Sequence, residues 1–199
     1  MKPEDWAKAY EEGTPHWAES QEPSAFAPQL LEMLGKESGN IILEIGAGDG
    51  QDSIFFAQKG NKVIGIDIAP GAIEMAKKNA HLAGMSDRVM FQVGDAKKLQ
   101  FKDAFFDGVF SISVLHATDL NLSLKEIARV LRAQGKAIIY LYEKTKEDGQ
   151  EYWFMKREDV ENLLHKNNFS IEDKWDFIHA GHQGEKTTVL MFKLTKNGF

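Results

Sequence analysis

The feature that most constrains the fold is a short apolar run, Ile41-Ile42-Leu43-Glu44-Ile45, that opens onto Gly46-Ala47-Gly48-Asp49-Gly50 and then a helical pattern. A β-branched run bounded by Asn40 and a glycine cluster predicts a buried strand. Glycines behind it let the backbone turn tightly and let a ligand approach where a Cβ would clash. The pattern then repeats. A helix is expected over 51–59, stopped at Lys59-Gly60. Strands are expected over 63–68, 89–93, 108–113 and 136–142. Further helices are expected over 70–84, with Pro70 at the first helical position, and over 123–132 and 157–167. Such alternation implies βαβ units and a parallel sheet. Residues 170–178 and 187–194, joined by a short glycine-bearing loop, predict a hairpin, so one terminal strand runs antiparallel. The expected fold is α/β: a doubly wound, mostly parallel seven-stranded sheet with helices on both faces and a C-terminal antiparallel hairpin strand.

At 199 residues the chain suits one domain with an addition. The addition is expected at residues 1–39, an aromatic cap or lid with four of the five prolines and with Trp6, Tyr10 and Trp17, which either cover the site or staple the segment to the sheet. Residues 40–199 form the main domain. The absence of cysteine excludes a disulfide framework, a thiolate metal site and a cysteine nucleophile. A net charge of −6 argues against nucleic acid as partner, which wants clustered Lys and Arg. The start lacks the apolar core of a signal peptide, and no apolar run is long enough to cross a membrane. A soluble cytoplasmic enzyme, monomer or homodimer, with no membrane partner is the expectation.

In open α/β sheets the ligand sits beyond the carboxyl ends of the strands, which directs attention to 46–50, 67–70, 94–98, 113–121 and 143–155. A dinucleotide fingerprint would need G-x-G-x-x-G with a pyrophosphate on the helix N-terminus. Gln51 stands where its third glycine belongs, and Glu44, Asp49 and Asp52 would repel a pyrophosphate. They suit a ligand that carries positive charge and no phosphate. Asp67 ends the second strand, placed either to accept two ribose hydroxyls or to cap the helix behind Pro70. Asp95, in Gly94-Asp95-Ala96, ends the third, placed to meet an adenine edge.

The run Glu44 to Gly50, with Asp67, Gly94-Asp95-Ala96, Phe106-Asp107-Gly108-Val109-Phe110-Ser111 and Leu131 to Lys136, resembles a class I S-adenosylmethionine-dependent methyltransferase. The resemblance covers roughly residues 40 to 195. It implies S-adenosyl-L-methionine as cofactor. Gly46, Gly48 and Gly50 would pass under its methionine part, with Glu44 and Ala47 beside them. Asp67 would hold the ribose, Asp95 and Ala96 the adenine, and Ile68, Ser111 and Trp17 would complete the site. The opening Trp6…Tyr10…Gly13-Thr14-Pro15-His16-Trp17 is more loosely similar to the cap of the small-molecule branch that includes tellurite-resistance-type and thiopurine S-methyltransferase-like proteins. Two departures stand out. The family's L-R-P-G-G turn reads Leu-Arg-Ala-Gln-Gly here, and the Asn-Pro-Pro-Tyr signature of nucleic-acid amino-methyltransferases is replaced by Ser113-Val114-Leu115-His116.

Methyl transfer from a sulfonium is an in-line displacement whose rate comes largely from positioning and exclusion of water. It requires neither a metal nor a triad, and no metal-ligating set is expected; His179 and His182 read as solvated. His116 is either a general base that accepts the nucleophile's proton or a loop histidine bonded to backbone. Tyr152, Trp153 and Phe154 either wall an apolar substrate pocket or pack beneath the following helix. The acceptor is expected to be a small molecule, its reacting atom left open among sulfur, selenium, tellurium, nitrogen and oxygen. Two other readings stand beside this one: a non-catalytic module that binds S-adenosylmethionine or its demethylated product, and an NAD-dependent oxidoreductase.

Overall fold

A computed structural model describes residues 3–13, 22–142, 156–180 and 186–198. Seven strands form one sheet: β1 (Ile41–Ile45), β2 (Lys62–Asp67), β3 (Val89–Val93), β4 (Phe106–Ile112), β5 (Leu131–Tyr142), β6 (Phe169–Ala180) and β7 (Lys186–Lys196). Among the described residues six α-helices accompany them: α1 (Pro3–Glu11), α2 (Ala27–Met33), α3 (Gln51–Gln58), α4 (Pro70–Leu82), α5 (Leu120–Val130) and α6 (Arg157–Lys166). The strand order is β3-β2-β1-β4-β5-β7-β6.

The first five strands pair in parallel, Ile41 against Lys62 and Ile42 against Gly108. β7 lies between β5 and β6 and runs antiparallel to both. The sheet is therefore mixed: β7 is the antiparallel hairpin strand, and its antiparallel pairing reaches beyond the hairpin to β5. The β5–β7 pairing runs from Lys136↔Thr195 to Tyr142↔Val189.

Alternation along each central strand splits its side chains between two cores. Leu43, Val109 and Ile139 are buried with Leu124, Ile127 and Leu164 on the α5/α6 face. Their neighbours Ile42, Phe110 and Ile138 are buried with Leu30, Phe56 and Ile73 on the α2/α3/α4 face. Burial on both faces is why these strands read as continuous apolar runs.

Two boundaries differ from expectation. Residues 1–39 are not uniformly a cap. α2, with Ala27 and Leu30 fully buried, belongs to the core, and Pro28 sits in its first turn, where a missing N–H costs nothing. β5 begins at Leu131, because α5 ends at Val130. The N–H groups of Ala104 and Phe105 donate to the Arg129 and Val130 carbonyls, and Leu131 pairs with Phe106. Among the described residues no helix is long and apolar enough to cross a membrane.

Candidate active site

A cavity of about 610 Å³ opens at the carboxyl edge of β1, β2, β3 and β4. It includes the point where strand order reverses, between β1 and β4, the usual ligand position in such sheets. The loop after β1 forms its floor. The Gly46 and Ala47 N–H groups both donate to the Ile66 carbonyl, at 2.8 and 2.9 Å, and Asn79 on α4 donates to the Asp49 carbonyl at 2.9 Å. Two glycines here are dictated by the chain's own packing. Gly46 has φ of 79°, and a Cβ there would overlap Val114 Cγ2, from the turn after β4. Gly50 has φ of 87° and faces the core, where a Cβ would lie 2.8 Å from Phe91 Cζ. Gly46 and Gly48 do line the cavity, and Gly50 does not. Gly50, expected under a ligand, is instead the N-cap of α3 and faces Phe91 and Ala76.

Among the described residues six carboxyl groups border the cavity, and burial raises the pKa of four of them, Glu44, Asp49, Asp52 and Asp67. Glu44 is 4% exposed and accepts from Ser53 Oγ. Burial pushes it well above the usual carboxylate range, and the neighbouring Asp52 adds to the rise. Asp52 accepts from the Ser24 N–H at 2.6 Å and is still pushed up to about 6, mainly by burial. Asp49 accepts from Gln51 Nε2 at 3.0 Å, and burial again outweighs that bond. Asp67 accepts from the Gly48 N–H at 3.0 Å and the Ala69 N–H at 2.9 Å, yet burial keeps its pKa raised. Like charges gathered in a partly dry site cannot all ionise cheaply without a cation between them. A carboxylate offers about four acceptor positions, so Asp67 retains capacity for a ligand hydroxyl.

The far wall comes from the loops after β3 and β4. Asp95 and Ala96 line the cavity, with Lys97 at 3.6 Å from Asp95. Ile68, 41% exposed, offers an apolar surface at the rim. Ser113 has φ of 59°, a left-handed conformation rare outside glycine. It leads into the Val114 wedge and the helical turn that carries His116. The His116 ring meets Tyr142 edge-on, 4.7 Å between centroids, and burial pushes its pKa down to about 4. His116 is therefore neutral at physiological pH and a weak base there. Ser111 is corrected as a lining residue. It is fully buried, and its Oγ donates to the Ile45 carbonyl at 3.1 Å, tying β4 to β1 behind the site. On the open side, Trp6 and Tyr10 of α1 line the cavity. A Cβ on Gly71 would lie 2.8 Å from Tyr10 Cβ, and one on Gly48 would lie 3.2 Å from its hydroxyl. α1 thus rests on the start of α4 and reaches across the glycine loop.

One cavity accordingly gathers Glu44, Gly46, Ala47, Gly48, Asp67, Ile68, Asp95, Ala96 and His116. Trp17, His182 and Tyr152 to Phe154 lie outside the described residues. Sequence reasoning missed Tyr142 and Glu22. Tyr142 was accessible, being the last residue of β5 at the same carboxyl edge. Glu22 carried no periodic or motif signal.

Residues 43–139 match the family model described as a methyltransferase domain. The chain is 34% identical over 113 residues to methyltransferase GfsG of Streptomyces halstedii, covering 56% of this chain and 41% of that protein. It is 36% identical over 110 residues to 27-O-demethylrifamycin SV methyltransferase of Amycolatopsis mediterranei, covering 54% and 40%. The chain thus spans about two fifths of the length of these curated relatives. Among solved structures, one titled for the conversion of a disulfide bond into a thioacetal group during echinomycin biosynthesis shares the fold. Its TM-score is 0.79 at 20% identity, over 98% of this chain and 91% of that one. An acidic cavity at the strand-order reversal, behind a glycine loop inside the matched segment, agrees with that model: residues 43–139 of this chain are similar to a methyltransferase domain, whose cofactor is S-adenosyl-L-methionine.

Proposed function

We propose that the protein transfers the methyl group of S-adenosyl-L-methionine to a small-molecule acceptor. The observation that carries this reading is the set of raised-pKa carboxyl groups, Glu44, Asp49, Asp52 and Asp67, around one cavity. Such a set favours a ligand with two cationic centres and no phosphate, and it opposes a nicotinamide dinucleotide. The cofactor supplies an electrophilic methyl on a sulfonium, with the departing sulfur as leaving group.

In this reading Asp67 accepts from the ribose hydroxyls and Asp95 with Ala96 borders the adenine, while Ile68 packs on its face. Gly46, Ala47 and Gly48 leave room for the methionine part, and the Glu44–Asp49–Asp52 group faces its ammonium. Trp6 and Tyr10 cover the site and exclude water, which strengthens every electrostatic contact within it. In this reading α1 contributes the lid among the described residues of 1–39. The acceptor lies on the Val114–His116–Tyr142 side. His116, neutral there, orients the acceptor by a hydrogen bond instead of taking a full proton from it. The aromatic cover supports the thiopurine S-methyltransferase-like branch, and with it a sulfur or similarly soft acceptor atom.

Two measurements test the reading. A ligand at 100 times its Kd adds about 2.7 kcal/mol, and each kcal/mol moves a domain of this size by roughly 2–4 °C. S-Adenosyl-L-methionine should therefore raise Tm by about 5–10 °C, and NADH should leave it unmoved. Release of S-adenosylhomocysteine only in the presence of a compound from an acceptor library identifies an enzyme. Binding without release against thiols, phenols and amines would favour a non-catalytic sensor.

A further inference from the structure

The loop from Gly94 to Ala104 carries Asp95 and Ala96 to the cavity and has no strand or helix of its own. A free segment of this length would spread over many conformations, and holding it still costs entropy that something must offset. Its first half is self-contained. The Lys97 N–H donates to Asp95 Oδ1 at 2.9 Å and the Lys98 N–H to the Asp95 carbonyl at 3.0 Å, so 95–98 is a closed turn. That turn is anchored at Leu99, 5% exposed within the core.

Two side chains of α5 grip the loop from there onward. Glu126 Oε2 accepts from the Leu99 N–H at 2.8 Å. Arg129 donates to the Leu99 carbonyl at 2.8 Å, the Phe101 carbonyl at 2.7 Å and Asp103 Oδ1 at 2.8 Å. The same guanidinium donates to both oxygens of Glu126, at 2.9 and 2.8 Å. One planar fork thereby fixes three points of the loop, a geometry that a lysine ammonium cannot reproduce. The opposite face of α5 is buried through Leu124 and Ile127, so the grip starts from a rigid base.

We infer that the Glu126–Arg129 pair is a positioning device for the adenine end of the cofactor site, acting through Leu99 on Asp95 and Ala96. Neither side chain borders the cavity; both act through the loop. The inference rests on the cofactor reading above, in which Asp95 and Ala96 meet the adenine.

The test measures Kd for S-adenosyl-L-methionine and S-adenosylhomocysteine by calorimetry on the full chain, together with Tm. Variants are Arg129→Ala, Arg129→Lys, Glu126→Gln, Asp95→Ala and the double variant Asp95→Ala/Arg129→Ala. Losing charged hydrogen bonds that fix a contact should raise Kd for both ligands roughly tenfold in Arg129→Ala. Arg129→Lys should fail to restore affinity, while kcat at saturating cofactor stays within about twofold of wild type. Asp95→Ala should weaken binding in the wild-type background and add little once Arg129 is gone, since the contact is already misplaced. If Arg129→Ala does not fold, Arg129→Lys carries the same measurement with a similar rise expected, and Glu126→Gln with a smaller one. A lower Tm with unchanged Kd in the Arg129 variants, while Asp95→Ala weakens binding, overturns the inference alone. Full additivity of the double variant does so as well. An unchanged Kd in Asp95→Ala overturns both the inference and the adenine placement beneath it.

Discussion

Asp67 is pulled two ways: burial raises its pKa, while the N–H groups of Gly48 and Ala69 stabilise its charged form. The carboxylate therefore shapes the loop that surrounds the ligand as well as meeting the ligand. Asp67→Ala is expected to weaken S-adenosyl-L-methionine binding by about 1–3 kcal/mol, because it leaves both loop N–H groups and ribose hydroxyls without an acceptor. Asp67→Asn, which keeps one acceptor oxygen, should cost less; equal Kd values in wild type and Asp67→Ala would remove this residue from the site. Asp52 gives a pH signature. Its folded pKa of about 6 exceeds the ordinary 3.8, so the folded protein holds the proton more tightly than the unfolded chain does. The resulting stability is full below about pH 4 and disappears as pH rises through 6, a loss of about 1–3 kcal/mol at this residue. Asp52→Asn should flatten the dependence of Tm on pH between 4 and 7 in the ligand-free protein; parallel curves would contradict this. A cationic ligand favours the ionised form, so cofactor affinity should fall below pH 6 and binding near pH 6 should release protons. Calorimetry in buffers of different ionisation enthalpy reads that release.

At the scale of elements, α1 and α2 divide the work of the N-terminal segment. Leu30 of α2 is fully buried against Gly108 and the α3 face, whereas Trp6 and Tyr10 of α1 are half-buried at the cavity mouth. Leu30→Ala should cost about 2–5 kcal/mol in denaturant unfolding. Removing residues 1–13 should leave the unfolding midpoint nearly unchanged and raise KM for the cofactor several-fold. A truncated chain that does not fold would place α1 in the core. These two helices were also what the sequence concealed. Ile41–Ile45 and residues 137–141 of β5 announce themselves because burial on both faces demands apolar residues, Glu44 being the exception. α2 spans only seven residues and opens on Pro28, so its apolar positions are too few to show a period. The site was legible to a similar depth. Glu44, Asp67, Asp95 and His116 follow from strand ends, where topology alone places them at one edge. Ser111 and Gly50 were misplaced because alternation and loop direction decide which side of a strand end faces the ligand. Glu126 and Arg129 look like an ordinary i,i+3 helix pair until the loop they grip is seen.

For the whole molecule, the parallel part from β3 to β5 carries the cavity, and the antiparallel part completes the sheet on the side away from β3. β7 follows β6 in sequence yet lies inside it, hydrogen-bonded along both edges. This has a consequence for the order of assembly. Until residues 186–196 are available, β5, buried in the finished fold from Ala137 to Leu141, lacks the strand that pairs with its outer edge. Unpaired apolar edges of that kind template association with other chains. A chain stopped at residue 185 should therefore be recovered from synthesis as aggregate even though every cavity residue named above is present, and light scattering during refolding would show it. Completion of the interior, and with it escape from self-association, waits on a strand far along the chain from the chemistry it makes soluble.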